Sequence, residues 1–164
     1  MTSITANISA IVAVLSATVS VIFGLIAVRS RAQKEVGDLY DQMVKFRTEH
    51  PEVLRLSRNW THDCWSKIYR QSNPDDIAWV IYYNFVELCL GYCNAVLFSK
   101  HWLSRSSYQN HHRPLIKLLL TEHNPIIEDL LQEGAYISPS IGKFRKELER
   151  EGWNWRKEHM KLAK

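Results

Sequence analysis

The sequence predicts an all-α protein: one N-terminal transmembrane helix that continues into a stalk, followed by a small helical-bundle domain. Three observations support this prediction. No Asp, Glu, Lys or Arg precedes Arg29, the apolar residues that follow recur at helical spacing, and no alternating strand pattern of useful length is present. We therefore divide the chain into a transmembrane anchor (1–28), a helical stalk (29–50), a helical domain (51–152) and a basic, tryptophan-containing tail (153–164).

Residues 4–28 form the predicted transmembrane helix, which carries no charged side chain. At about 1.5 Å per helical residue, this segment is longer than the ~30 Å hydrocarbon core of a bilayer. Buried helices of soluble domains seldom run this long without a charge, and a cleaved signal peptide would need a basic start and a small-residue cleavage site. We therefore expect an uncleaved anchor that contacts membrane lipid through residues 4–28.

The polar and small residues of the anchor are compatible with a membrane span. The hydroxyls of Ser16, Thr18 and Ser20 can donate to the backbone carbonyl one turn earlier, which leaves no donor stranded in lipid. Ser16, Ser20 and Gly24 are spaced four apart and so share one helix face. Small residues at this spacing let two transmembrane helices approach closely. This face is therefore a candidate for homo-oligomer contacts.

The charges that flank the anchor predict its orientation. Arg29, Arg31 and Lys34 follow the apolar segment, whereas no Lys or Arg precedes it. Because the basic flank of a transmembrane helix stays in the cytoplasm, the N-terminus should face outward and the C-terminal domain should be cytoplasmic. The expected location is a bacterial inner membrane or a plasma membrane, which the chain crosses once.

The stalk should continue the same helix to about His50, since Pro51 disfavours helical geometry in the residue before it. Its apolar residues are spaced alternately four and three apart. That spacing suits either a short coiled coil or packing of the stalk onto the chain's own domain. We favour the second, because the pattern covers barely two heptads. The residues concerned are Ala32, Val36, Leu39, Met43 and Phe46.

The domain should contain several helices around one long apolar helix. This long helix, Ile77–Phe98, is either the core of the domain or a second membrane span. The core is favoured, because Glu87 lies at its middle and a carboxylate costs about 2.5–3.5 kcal/mol at the centre of a bilayer. Before it we expect helical segments at 51–60 and 60–70 and capping residues at 72–76; after it we expect helices at 115–122, 124–134 and 138–152.

A polar stripe on the long helix is the most specific candidate site. Asn84, Glu87, Gly91 and Asn94 are spaced three, four and three apart and therefore lie on one face. We favour a structural explanation, in which a buried Glu87 pairs with a basic side chain and fixes the helix register. The alternative is a polar pocket for a small ligand, in which Glu87 binds a cation or acts as a base.

The remaining chemistry-bearing residues form no recognisable catalytic or metal motif. Cys89 and Cys93 lie in an apolar helix, where cysteine usually packs as a small core residue. His111 and His112 point about 100° apart on a helix, and residues 62–64 (His-Asp-Cys) are sequence neighbours rather than a catalytic dyad. Phosphate-binding loops and common hydrolase motifs are absent. We assign no catalytic residue, metal or cofactor, and the 3 cysteines, an odd number, fit a reducing compartment.

The C-terminal tail combines basic residues with tryptophan. The chain has a formal net charge of +4, and its basic excess lies after Gly142. Such a segment suits the anionic inner face of a membrane, and a solvated helix with internal ion pairs is the plainer alternative. Nucleic acid is the less favoured partner, because an anchored domain is already close to lipid. The candidate membrane-surface contacts are Lys143, Lys146, Trp153, Trp155, Arg156 and Lys157.

The order of these features resembles that of small bacterial membrane-anchored helical proteins of unknown function. The resemblance lies in residues 46–53 (FRTEHPEV), in residues 84–87 (NFVE) and in Trp102. It implies a helical domain attached to a membrane and implies no activity. From the residues we expect a scaffold or protein-interaction module on the cytoplasmic face. The alternative is a membrane-tethered enzyme or a small-ligand sensor that uses the pocket near Glu87.

Overall fold

The computed structural model describes residues 2–51, 53, 77–132 and 137–162. Within these residues the fold is all-α, as predicted, and no strand is present. Several predicted features lie outside the described residues: the helix at 60–70, the helix at 51–60 apart from Pro51 and Val53, the capping residues at 72–76, the residues at 62–64 and the helix end near Gly134.

Helix α1 (Thr2–Glu49) is one continuous helix that combines the predicted anchor and stalk. It ends where Pro51 predicts, and the amide of His50 still donates to the carbonyl of Phe46 at 2.9 Å. The apolar stripe of the stalk is turned inward: Ala32, Val36 and Met43 are buried and Phe46 is half-buried. The stalk therefore packs onto the chain's own domain, which was the favoured alternative.

Helix α2 (Ile77–Ser99) is the partner of this stripe and the core helix of the domain. The ring centroids of Phe46 and Phe85 are 5.7 Å apart, and those of Tyr40 and Tyr92 are 6.1 Å apart. Since the residue numbers rise along α1 while they fall along α2, the two helices are antiparallel. By length and composition α2 could also cross a membrane, but half of its apolar window is buried inside the protein.

The chain then returns along α2 through a helix that contains a π-helical turn. Helix α3 (Arg105–Ser107) runs without a break into a π turn (Tyr108–His112) and helix α4 (Arg113–Glu122). Here the amide of Arg113 donates to the carbonyl of Tyr108, five residues earlier. Pro114 follows at once, and a proline ring would crowd the carbonyl four residues earlier in a regular α-helix. The wider turn accommodates it.

Three shorter helices close the domain: α5 (Asn124–Gln132), α6 (Pro139–Arg150) and α7 (Trp155–Leu162). The hydroxyl of Ser138 caps α6 by accepting from the amide of Ser140 at 3.3 Å. Gly152 ends α6, as predicted, with a φ of 87°. The amide of Trp153 reaches back to the carbonyl of Leu148 at 2.9 Å, which gives the six-to-one bond of a Schellman motif.

One hydrophobic core joins the stalk, α2 and the later helices. The residues that are at most 1% exposed include Tyr82, Val86, Ile116, Ile126 and Leu148. Trp155 of the predicted tail belongs to the same core. Residues of the stalk and of the tail therefore contribute to the same core as α2.

The seam between α1 and α2 yields a prediction that can be tested with two valines of one helix. Val36 is 3% exposed and Val44 is 44% exposed. Val36→Arg should destabilise the domain by about 3 kcal/mol or more, because it places an unpaired charge in the core. Val44→Arg should stay within about 0.5 kcal/mol of the wild type. The measurement is the urea midpoint of the detergent-solubilised protein. Equal midpoints for the two variants would contradict the seam.

Candidate functional site

The anchor segment of α1 lacks packing partners within the described part of the chain. From residue 14 to residue 31 each side chain is exposed, and the large apolar ones include Val14 at 65% and Phe23 at 67%. The segment belongs to a helix long and apolar enough to cross a membrane, and none of its apolar window is buried. Soluble monomers rarely expose a contiguous apolar surface of this size, and such a surface is typical of contact with a membrane or with another protein.

Two of the hydroxyl groups inside this segment are satisfied by the helix itself. Thr18 donates to the carbonyl of Val14 at 2.8 Å, and Ser20 donates to the carbonyl of Ser16 at 2.9 Å. These are the back-bonds expected from the sequence. They remove the cost of carrying these hydroxyls into hydrocarbon.

The small-residue face of the anchor is open. Ser16 and Ser20 are exposed, and a Cβ added to Gly24 would meet no atom within 4 Å. No neighbouring helix of the described residues occupies this face. A homo-oligomer through it stays a prediction.

The polar stripe of α2 faces outward rather than inward. Asn84, Glu87 and Gly91 are exposed, and Asn94 is half-buried, where its carbonyl oxygen accepts from the hydroxyl of Ser138. We expected Glu87 to be buried and paired with a basic side chain, but the structure leaves Glu87 exposed. The reason is that α2 buries the opposite face, so the most polar face is the one left to solvent. An exposed Glu87 needs no partner and encloses no pocket.

The two described cysteines are inert. Cys89 and Cys93 are buried on the core face of α2. Burial is the main reason why the pKa of each thiol is raised well above its usual value. Both thiols are therefore protonated at neutral pH and pack as small apolar side chains. Within the described residues, no group of three His, Cys, Asp or Glu side chains is placed to hold a metal ion.

A buried polar cluster lies where the short helices meet, and sequence reasoning missed it. His123 Nδ1 lies 3.0 Å from the hydroxyl of Tyr82, and His159 Nδ1 donates to the carbonyl of Thr121 at 3.1 Å. Asn124 accepts from Arg145 Nη2 at 2.9 Å. These side chains come from α2, α5, α6 and α7 and from the turn between α4 and α5. Their proximity has no sequence signature, because no two of them follow a motif spacing.

This cluster extends to the surface through one acidic residue. Asn124 Nδ2 donates to Glu128 Oε1 at 3.0 Å, and Glu128 Oε2 accepts from Arg156 at 3.0 and 3.1 Å. The chain of contacts from Arg145 to Arg156 thus joins α6, α5 and α7. Such a charge-assisted network fixes the relative positions of the helices.

Burial dominates the electrostatics of the cluster. It lowers the pKa of His123 to about 4; Arg47 and His159 act in the same direction, and Glu122 acts against them. Burial also lowers the pKa of Arg145, with Glu128 and Glu149 opposing it. His123 is therefore neutral at physiological pH. Burial in the cluster therefore favours the neutral form of His123 and disfavours its protonation.

The tail residues proposed as membrane contacts are partly occupied inside the protein. Trp155 is buried; its Nε1 donates to Glu149 at 2.9 Å, and the guanidinium of Arg145 lies 4.4 Å from its ring. Trp153 is half-buried, with the ammonium of Lys117 only 3.5 Å from its ring. The ring of Trp155 is therefore enclosed by the domain, whereas that of Trp153 is only partly covered. The other four tail candidates, Lys143, Lys146, Arg156 and Lys157, are exposed.

A cleft of about 310 Å³ lies between α4 and α7. Leu118 and Leu162 are 46% and 41% exposed at its walls, and Trp153 and Lys117 also line it. Its polar residues include Glu158, which pairs with Lys161 at 2.6 Å. The cleft is an apolar depression with charged edges, which suits an apolar side chain of a partner.

Comparisons of this chain with protein families, with curated proteins and with solved structures find no match. The functional argument therefore depends on the geometry of the described residues.

The buried histidine predicts a pH dependence of stability. His123 has a folded-state pKa of about 4, compared with 6.5 for an ordinary histidine. Because the unfolded chain then binds the proton more tightly, the free energy of unfolding should fall as the pH drops from about 6.5 to 4, by about 3 kcal/mol in total. Unfolding by urea at several pH values measures this.

His123→Gln should remove most of this histidine-dependent loss between pH 6.5 and 4. His111→Gln is the matched control, since His111 is exposed on the π turn, and it should keep the wild-type pH profile. If both variants keep the wild-type profile, His123 is not the group responsible.

Proposed function

We propose that this protein is a single-pass membrane protein whose helical domain is a protein-interaction or scaffold module on the cytoplasmic face. The observation that carries the proposal is the contrast within α1. Residues 14–31 expose their apolar side chains on all sides, while Val36 and Met43 of the same helix are buried in the domain core. The exposed apolar part of this helix suits a lipid environment, and the later part packs in the interior of the domain.

The orientation follows from the charge distribution. Arg29 and Arg31 are exposed immediately after the apolar segment, and the basic flank of a single span stays cytoplasmic. The free thiols Cys89 and Cys93 are consistent with a reducing compartment. We therefore infer that the N-terminus faces outward and the domain lies in the cytoplasm.

The cleft between α4 and α7 supports a protein partner. Its exposed leucines lie beside a half-buried tryptophan, and tryptophan is enriched at protein interfaces. We infer that a partner inserts an apolar side chain between Leu118 and Leu162. The rival function, an enzyme or ligand sensor at Glu87, finds no support in an exposed carboxylate on an outer helix face.

Charges placed in the anchor should release the protein from the membrane. Val19 and Phe23 are 50% and 67% exposed on one face of α1. The double variant Val19→Arg and Phe23→Arg should move the protein from the membrane pellet to the supernatant, because each arginine near the bilayer centre costs about 2.5–3.5 kcal/mol. High-speed centrifugation after carbonate washing measures this.

The matched control carries the same charges at the same spacing further along α1. Val44→Arg with Thr48→Arg, both at exposed positions, should leave the protein in the pellet.

Protease accessibility tests the orientation. In cells whose outer layers have been removed and whose inner or plasma membrane is intact, protease added from outside should leave the wild-type domain undigested. A wild-type protein in the supernatant would overturn the anchor, and a digested domain would reverse the orientation.

Photocrosslinking in intact cells tests the partner surface. A photoreactive residue in place of Leu118 should give one discrete protein adduct, because Leu118 lines the cleft. The same residue in place of Leu131, an apolar side chain with 48% exposure on α5, should not give that adduct. Identical adduct patterns at both positions would contradict the cleft as a binding surface.

A further inference from the structure

The loop between α2 and α3 lies against the end of the anchor. A cavity of about 380 Å³ is lined on one side by Leu25, Ile26 and Arg29 of α1, and on the other side by residues 101–104. This proximity follows from the antiparallel seam, which brings the C-terminal end of α2 back toward the apolar segment. The loop therefore sits at the level where the apolar side chains of α1 end and the first charged one begins.

The composition of this end of the domain is aromatic and basic. Phe98 is 78% exposed, the largest exposed fraction among the large apolar residues described. Lys100, His101 and Arg105 are exposed around it, and Trp102 is half-buried at the cavity shared with the anchor. Amphipathic aromatic rings and basic side chains are the residues that occupy the headgroup level of a bilayer.

The opposite side of the loop adds to this charge. A second cavity, of about 260 Å³, is lined by Phe98, Lys100, His101 and Lys143. Glu147 also lines it, but its carboxylate is 3.4 Å from the guanidinium of Arg113. Basic side chains thus flank the loop on both sides, and the acidic side chain among them shares the guanidinium of Arg113 with Glu151, which lies closer to it at 2.7 Å.

We propose that this end of the domain, the membrane-proximal rim (Phe98, Lys100, His101, Trp102 and Arg105), binds the headgroups of anionic phospholipid in the bilayer that holds α1. The inference rests on the proposed membrane anchor. It assigns the lipid surface to the α2–α3 loop rather than to the C-terminal tryptophans, of which Trp155 is buried and Trp153 lines the cleft.

Continuity with the anchor favours lipid over another occupant. The cavity that the loop shares with α1 is lined by Leu25 and Ile26, which are themselves apolar and 49% and 57% exposed. Helix α1 is continuous from Thr2 to Glu49, so no flexible joint can move the rim away from the membrane surface. Once α1 is inserted, the rim meets headgroups before it can meet a soluble partner.

Photocrosslinking to labelled phospholipid tests the proposal with the full-length protein in vesicles. A photoreactive residue is placed at Ile22, at His101 or at Val44. The first probes the span, the second probes the rim, and the third lies about 22 Å beyond Arg29 along α1. The vesicles contain phosphatidylcholine with or without phosphatidylglycerol, and each lipid is labelled in turn. We expect lipid adducts at positions 22 and 101, none at 44, and a preference for phosphatidylglycerol at position 101.

Charge reversal separates headgroup binding from mere proximity. Lys100→Glu with Arg105→Glu should reduce the phosphatidylglycerol adduct at position 101 by about tenfold and leave the adduct at position 22 unchanged. Lys45→Glu with Arg150→Glu, both at exposed positions, makes the same change in net charge away from the rim and should have no effect at either position. Neither double variant changes a residue of the anchor.

The outcomes distinguish the two proposals. Lipid adducts at position 22 without any at position 101, or equal labelling of both lipids at position 101, would contradict the binding of anionic headgroups by the rim and would still support the membrane anchor. No lipid adduct at position 22 would overturn the anchor, and the rim with it.

Discussion

The packing of one stripe of α1 against α2 is the interaction on which the remaining structure depends. Ala32, Val36 and Met43 bury their side chains in the domain, while the preceding turns of the same helix present apolar side chains outward. Because an α-helix is stiff over this length, the exposed and buried parts cannot reorient independently. The domain is therefore fixed to the apolar segment in distance and in rotation, whereas a flexible linker would leave both free.

The later helices are too short to define their positions by apolar packing alone, and polar contacts complete the arrangement. Helix α5 has 9 residues and α7 has 8. Each buries one apolar face, which leaves rotation and sliding weakly specified. Asn124, Glu128 and Arg145 supply directional bonds across these helices. Such bonds add little net stability in comparison with apolar burial, but they favour one register over its neighbours.

Periodicity made much of the fold predictable. The all-α class, the continuation of the anchor into the stalk and the five apolar residues of the stalk all follow from spacing, and the break at Gly152 follows from its conformational freedom. Spacing also placed Asn84 and Glu87 correctly on one face of α2. It did not show which face is covered, because the apolarity of a whole helix carries no information on the position of its neighbours.

The missed features depend on residues that are distant in the sequence. Tryptophan is typical of membrane interfaces, yet Trp155 is buried in the domain, where it contacts Arg145 and Glu149. His123 and His159 are buried by helices that meet only in the folded chain. The π turn before Pro114 interrupts the helical periodicity, so spacing does not predict the continuous run from Arg105 to Glu122. A sequence pattern reports local geometry, and these features arise from tertiary geometry.

The geometry of α4 bears on how a partner could approach. His112 Nδ1 lies 2.8 Å from the hydroxyl of Tyr92, and His123 Nδ1 lies 3.0 Å from that of Tyr82, so α4 runs antiparallel to α2 and parallel to α1. The cleft along α4 therefore extends in the direction of the anchor axis. A partner segment in it would stand away from the bilayer, and a helix lying flat on the membrane could not fill it. Contact of the rim with lipid would leave this cleft open, because the two surfaces occupy different ends and faces of the helices.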